Sequence, residues 1–546
     1  MAQVQAQFQY HCACECDISC TVSSKMTYVT RSCWLDNFHR ILSCIVSILG
    51  AAWASTGKVG QFCVDGSLED TSFGDLDLPD PTKKGFNNMG SQHARDGNIK
   101  LGMKYFRAAQ VFESTYLYAW SNTAVGLDQI SMQRLTDAEA EPDQAEAAKL
   151  KKRAKREMAE AICALGISRI LGNEEASRTR EGIIAKLLYH FPKGCGRDKE
   201  RCLKAYPHES LAALALSAEE SNLGSEEMLT AANEICTEEA VRVKFSAKEK
   251  ESGVLHPSTV WKAFWIVEIC GVLVLQDALP KELVSQMLGA QKADFAGKSV
   301  TSIDDKKLQT QDAAYRSKRR FEVRLKAEPP FTCPSLLSSR NVLPIVKTLL
   351  GRDRLEIDEF SYVLALAGAP AMHWHVDVPA VRSGRFGTHQ PPQGFVMVVP
   401  LIDISEENGP TGFLAGSHVR MSKDRFWEDA IEVAEGHGGR EGQGQEDRYP
   451  SPLLKPETRV GDVILFDLRL RHYGSTNPSK QDRPILYISY VHDWWRDAMN
   501  FKEFQSNAWW QLGSNRSRKL LRRVDARAYG QELSEAAGPE FQSSDK

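Results

Sequence analysis

Two short stretches, about a hundred residues apart, limit what this chain can be: Met372-His373-Trp374-His375-Val376-Asp377 and Arg471-His472-Tyr473. In extended backbone, side chains i and i+2 share a face. His375 and Asp377 can therefore aim an imidazole nitrogen and a carboxylate oxygen at one point. A histidine from a distant strand completes a set of two histidines and one carboxylate with open coordination positions. That donor set suits non-haem Fe(II) and oxygen chemistry. His472 is the candidate for the third ligand. A lone His-x-Asp is more often a packed pair than a ligand pair, so the case rests on what surrounds His472.

Gly461-Asp462 opens a strand after a turn. From there Ile464, Phe466, Leu468, Leu470 and His472 fall on one face, with Asp467, Arg469 and Arg471 on the other. His472 thus ends an inward apolar row. Gly474-Ser475-Thr476-Asn477 reads as a turn and Arg483 to Tyr490 as a second strand, so a hairpin is expected to return Arg483 beside His472. An inward arginine needs an anionic partner. Its planar fork suits a small dicarboxylate.

His375-x-Asp377, Asn408-Gly409-Pro410-Thr411, Gly416-Ser417-His418, His472, Asn477 and Arg483 follow one another in an order that resembles the phytanoyl-CoA dioxygenase family. The likeness spans roughly residues 262–495 and includes the opening Gly271 to Pro280. The resemblance implies a double-stranded β-helix (jelly roll) that uses Fe(II) as cofactor and 2-oxoglutarate and O2 as cosubstrates. It implies His375, Asp377 and His472 as iron ligands, Arg483 on the distal carboxylate of 2-oxoglutarate, and Thr411 touching the cosubstrate. Asn408, Gly409, Ser417 and His418 would shape turns. His373 shares the face of His375 in a straight strand, but the His-x-Asp register favours His375, and packing is the expectation for His373. Ala415 replaces a proline common in the family, and the spacer from Arg420 to Lys455 is long; such spacers border the open end of the barrel.

At 546 residues the chain is too long for one core. Residues 1–81 read as leader and linker, with the stretch 56–85 rich in Gly, Asp, Ser and Pro. The run Ile41 to Ala54 is about 14 residues, short of the roughly 20 that span a bilayer. With its Arg40 flank it is a candidate signal or transit segment (near 26–54, if Met26 starts the chain) or a buried helix. No stable membrane span is expected elsewhere. Residues 82–175 resemble tetratricopeptide repeats. Gly90, Gly97, Phe106 and Ala109 sit at small and packing positions, and Trp120 and Ala124 answer to Phe86 and Gly90 one period on. A third copy is expected around 211–235. Residues 176–260 read as a helical connector, 261–500 as the oxygenase domain and 501–546 as a polar tail.

The fold class is therefore α+β and multidomain: all-α repeats, then a jelly roll with flanking helices. A net charge of −3 and the absence of a basic stripe exclude a broad nucleic-acid footprint. Leu150 to Arg156 (LKKRAKR) reads as a solvated helix face. Of thirteen cysteines, seven crowd the first 63 residues, and those of the main body read as reduced, buried thiols. The leading functional expectation is hydroxylation of a small or lipid-like organic substrate. The alternative is a repeat-based scaffold that recruits a protein partner and carries an inactive jelly roll. Halogenation fits poorly, because Asp377 fills the position a halide would need.

Overall fold

Thr82 accepts a hydrogen bond from the Gly85 amide (3.0 Å), which caps helix α1 (Lys83–Arg95). The structure, a computed structural model, describes residues 82–191, 232–233, 235–297, 309–310, 313–351, 354–378, 392–419, 452–495 and 520–521. The expectations for residues 1–81, for a third helical copy at 211–235, for the long spacer from Arg420 to Lys455 and for the tail 501–546 fall almost wholly outside these residues. Among the described residues, no helix is long and apolar enough to cross a membrane.

The N-terminal part is helical. Asn98 caps α2 (Ile99–Phe112) through the Leu101 amide, after a turn at Gly97 (φ 82°). Gly90 of α1 lets the two helices touch: a Cβ there would lie 2.6 Å from the Phe106 ring. Helices α3 (Leu117–Ala140) and α4 (Gln144–Ile170) are longer and pack together, and α5 (Ala176–His190) follows. Trp120 and Phe86 are both buried. The basic run of α4 is solvated apart from Ala154, which is fully buried.

The connector contributes more than helix. Strand β1 (Arg242–Lys244) precedes α6 (Ala247–Ser252), whose Ser246 and Glu249 form a reciprocal capping box. Helix α7 (Pro257–Cys270) then stops at Gly271, whose left-handed φ of 76° turns the chain into β2 (Val272–Gln276). Helix α8 (Lys281–Ala296), β3 (Gln309–Thr310), β4 (Ala313–Ser317) and β5 (Arg320–Arg324) follow. Short helices α9 (Pro334–Leu337) and α10 (Leu343–Leu350) lead to β6 (Leu355–Ala365), β7 (Gly394–Pro400) and β8 (Thr411–Leu414). The last strands are β9 (Leu453–Leu454), β10 (Val463–Asp467), β11 (His472–Gly474) and β12 (Arg483–His492).

These strands form two sheets. The large one runs β1-β2-β10-β7-β12-β6-β5-β4-β3 and is antiparallel except for β1 against β2. The small one runs β11-β8-β9. Phe413 of the small sheet and Phe466 of the large one pack with ring centroids 5.2 Å apart, so the sheets enclose a shared interior of jelly-roll type.

Three expectations need correction. His472 and Arg483 are not partners in a hairpin: β11 pairs with β8, whereas β12 pairs with β6 and β7, so the link between them crosses from one sheet to the other. The alternating row toward His472 ends at Asp467, where the chain turns and Leu470 N–H bonds to the Asp467 carbonyl. Asp467 and Arg469 are consequently both buried, each 2% exposed, and form an ion pair (2.6 Å) rather than facing outward. The body cysteines are not all reduced thiols. Parallel pairing of β1 with β2 sets Cys236 beside Cys270 at the entrance to each strand, and they form a disulfide (Cα–Cα 5.7 Å). Cys333 is disulfide-bonded as well, while Cys163 is a free thiol.

The helical part and the sheets share one core. Trp261 of α7 presses against Gly166 of α4, and Glu160 of α4 accepts from the Ser258 amide (2.9 Å) and hydroxyl (2.6 Å) at the start of α7. A Cβ at Gly166 would meet the Trp261 ring at 2.4 Å. Gly166→Val should therefore cost about 1–3 kcal/mol by overpacking, read as a lower urea midpoint.

Candidate active site

The site is built where residues 371–378 run antiparallel to β11. His375 and His472 form an isolated bridge: each donates its amide to the other's carbonyl, both at 3.0 Å. The two imidazoles are thereby brought to 4.3 Å between centroids. In each ring Nδ1 lies 2.9 Å from the carbonyl two residues earlier, His373 for His375 and Leu470 for His472. A carbonyl only accepts, so Nδ1 carries the proton and Nε2 presents its lone pair. Asp377 Oδ1 lies 3.6 Å from His472 Nε2 and 4.0 Å from His375 Nε2. The three ligand atoms all fall within 4.8 Å of one another.

Backbone hydrogen bonds fix this arrangement. The Leu468 carbonyl accepts from the amides of Asp377 (3.0 Å) and Val378 (3.2 Å). The turn that carries Leu468 is held by the Asp467–Arg469 pair, by Asp467 N–H to the Gly271 carbonyl (2.9 Å), and by Arg471 N–H to Ser417 Oγ (2.8 Å). His472 is buried and packs 4.7 Å from the Phe466 ring. Burial lowers its pKa, and the neighbouring His375 adds to this while Asp377 opposes it. His375 and Asp377 are half-buried. Two imidazole Nε2 atoms and a carboxylate oxygen converging on one point are a donor set for a divalent transition metal with positions left open.

Arg483 and Arg320 lie side by side on the interior face, because both pair with Ala365 of the strand between them. Arg483 donates to the carbonyls of Asn408 (3.1 Å) and Ser475 (3.5 Å), and Arg320 to those of Pro370 (3.0 Å) and Ser475 (2.9 Å). Among the described residues neither guanidinium meets a carboxylate, and Arg320 Nε is buried without a partner. Burial pulls Arg320 down to about 10; burial and then the charge of Arg320 pull Arg483 down to about 9. Arg320 packs onto Gly474, two residues along β11 from His472. That places the paired cations about 7 Å along the strand from the metal ligands.

The other expected residues are distributed as follows. Thr411 opens β8 opposite Gly474. Asn408 and Gly409 (φ 83°) shape the turn under Arg483: the Asn408 side chain binds Ser405 N–H and the Asp403 carbonyl. His418 Nε2 lies 3.0 Å from the Glu268 carbonyl and ties its loop to α7. Asn477 is fully buried and donates to the carbonyls of Ala365, Leu366 and Gln481. His373 is exposed rather than packed, and serves His375 through its carbonyl.

Several residues escaped the sequence reading. Arg320, Glu322 and Arg324 alternate along β5 and mark its charged inner face. Tyr487 lies four residues beyond Arg483 on the same face of β12, and its hydroxyl donates to Asp377 Oδ2 (2.5 Å). Burial, then the Asp377 charge, raises the Tyr487 pKa well above its ordinary value. Glu359 is buried on β6 near Glu322, which also pairs with Arg316 and accepts from Ser361 (2.9 Å). Burial and then the Glu322 charge raise the Glu359 carboxyl well above the usual range.

Residues 268–485 match the phytanoyl-CoA dioxygenase (PhyH) family model. They are a phytanoyl-CoA dioxygenase-type domain. Among curated proteins, "Dioxygenase af480" of Aspergillus fumigatus is 27% identical over 179 residues, covering 30% of this chain and 47% of the relative. The chain thus spans about half the length of that relative. Among solved structures, the non-haem α-ketoglutarate-dependent epimerase SnoN from nogalamycin biosynthesis matches 43% of this chain and 84% of its own, at 16% identity and a TM-score of 0.32. The carbocyclase SnoK from the same biosynthesis matches 42% and 83%, at 16% identity and 0.30. The His375–Asp377–His472 donor set and the Arg320 and Arg483 guanidiniums fit a divalent metal and a dicarboxylate such as Fe(II) and 2-oxoglutarate.

The raised Glu359 carboxyl has a consequence for stability. Its contribution is fully present below the ordinary carboxyl range and is lost as pH rises through its raised folded value. Over a pH series rising above the ordinary carboxyl range, urea midpoints of the wild type should accordingly fall. Glu359→Gln, which is neutral throughout, should remove that component and be the more stable protein at the upper end.

Proposed function

We propose that this chain is an Fe(II)/2-oxoglutarate-dependent dioxygenase that hydroxylates a small or lipid-like organic substrate. The observation that carries the reading is the spacing of two chemistries along one strand. His472 contributes to a convergent His–Asp–His donor set, and two residues on, Gly474 abuts the buried Arg320 guanidinium, which has Arg483 beside it across Ala365; among the described residues neither meets a carboxylate. A five-carbon keto-diacid needs both a metal for its keto-acid end and a cation for its far carboxylate.

In this reading His375, Asp377 and His472 hold the metal, and Arg483 holds the distal carboxylate with Arg320 beside it. Thr411, opposite Gly474, lines the same end. The chemistry supplied by iron and 2-oxoglutarate is the coupled reaction of 2-oxoglutarate, O2 and a substrate C–H to succinate, CO2 and an alcohol. The protein's own work is orientation. The Nδ1–carbonyl bonds fix the imidazole tautomers, the Leu468 carbonyl holds the Asp377 backbone, and Phe466 and Phe413 keep water from the His472 side. The half-buried edge formed by His375 and Asp377 is the side left for substrate. Residues 82–175 are read as a helical, tetratricopeptide-like array joined to this domain.

Iron-dependent succinate release separates enzyme from scaffold. Wild-type protein should convert 2-oxoglutarate to succinate, and Asp377→Ala should not; equal rates in the two would defeat the reading. Binding has its own signature. At a hundredfold excess over Kd, 2-oxoglutarate should stabilise the metal-loaded protein by about 2.7 kcal/mol, seen as a raised melting temperature. Arg483→Ala should lose most of that rise, because the distal carboxylate would then be buried without its cation.

A further inference from the structure

We propose that Tyr487 is a positioning residue that fixes Asp377 as a one-oxygen metal ligand. The inference rests on the metal-binding reading of the preceding subsection and assigns a role to a side chain outside the ligand set. The two oxygens of Asp377 face different partners. Oδ1 is the oxygen near both imidazoles, 3.6 Å from His472 Nε2 and 4.0 Å from His375 Nε2. Oδ2 is taken by the Tyr487 hydroxyl at 2.5 Å. A phenol donates one proton to a carboxylate, so the bond directs one oxygen away from the metal point and leaves the other toward it.

The carboxylate is thereby held from both sheets. Its backbone amide is bound by the Leu468 carbonyl in the turn before β11, and its outer oxygen is bound by a tyrosine on β12 of the large sheet. Tyr487 is itself set by its neighbours: it pairs with Ser361 of β6 and Val398 of β7, and its ring meets Phe466 edge-on at 6.1 Å. Arg483, Ile485 and Tyr487 share one face of the strand. One strand therefore sets both the cation for the cosubstrate and the clamp on the metal carboxylate. A monodentate Asp377 also preserves the open coordination positions that a chelating carboxylate would reduce.

The test uses Mn(II) as the probe and the full chain. Free Mn(II) is measured by electron paramagnetic resonance during titration of the metal-free protein. Tyr487→Phe keeps the ring and removes only the hydroxyl; its Mn(II) affinity should fall about 10–100-fold. Tyr490→Phe is the control: it removes a hydroxyl from the same strand, one bonded to the Leu337 carbonyl at 2.9 Å, and should leave Mn(II) affinity unchanged. Melting curves of the metal-free proteins establish that each variant is folded. Unchanged affinity in Tyr487→Phe overturns the inference, as does an equal loss in Tyr490→Phe, which would mark general loosening of β12. Failure of the wild type to bind Mn(II) is a separate result and would overturn the dioxygenase reading together with this one.

Discussion

The pair of reciprocal hydrogen bonds between His375 and His472 is the contact on which the site depends. One bridge residue on each strand leaves no room for a register error, because a slip by one position would turn a histidine to the other face. The bridge is short, with no regular strand around His375, so it needs support from both flanks. Met372 N–H to the Gly474 carbonyl (2.8 Å) supplies it on one side, and the doubly accepting Leu468 carbonyl supplies it on the other. Each such bond contributes about 0.5–1.5 kcal/mol net. Preorganisation of the site is therefore distributed over several backbone contacts, which set the directions of His375, Asp377 and His472.

Charge is distributed unevenly over the buried groups, and the unevenness has a pattern. Asp467 and Arg469 neutralise each other through two side-chain hydrogen bonds, and Glu322 is paired with Arg316. Among the described residues, Arg320 and Arg483 donate to carbonyls and meet no carboxylate. Two neighbouring cations out of water without an anion are costly, since even one buried ion loses several kcal/mol of hydration. A buried pair of guanidiniums that meets no carboxylate among the described residues is suited to receive an anion. Its location beside Gly474 fits the dicarboxylate read from the sequence.

The sequence revealed what local rules can encode. The period of two put His375 and Asp377 on one face, and the turn residues Asn408 and Gly409 were evident from their types. The same rule failed at Asp467, because alternation says which face a residue takes within a strand and nothing about where the strand stops. It failed again for Arg483. A turn followed by a strand looks like a hairpin, yet β11 and β12 belong to different sheets, so the partners of β12 come from far along the chain. Arg320 went unnoticed for the same reason. Its closeness to Arg483 exists only because β5, β6 and β12 are neighbours in that order, and no window around residue 320 contains that fact. The Cys236–Cys270 disulfide likewise depends on the parallel pairing of β1 with β2.

The helical region bears on the site through packing. Helix α4 holds α7 by Gly166 against Trp261 and by Glu160 on Ser258. Helix α7 ends at Gly271, whose carbonyl receives the Asp467 amide, while the preceding Cys270 carbonyl receives that of Gly416. Those two acceptors hold the turn and the loop that flank His472: Asp467 anchors the turn leading to it, and Ser417 beside Gly416 accepts from the Arg471 amide. A close-packed interior passes small displacements on to its neighbours. The helices therefore cannot be regarded as a module hung on the catalytic domain by a linker. Their innermost layer is part of the wall against which His375, Asp377 and His472 are set.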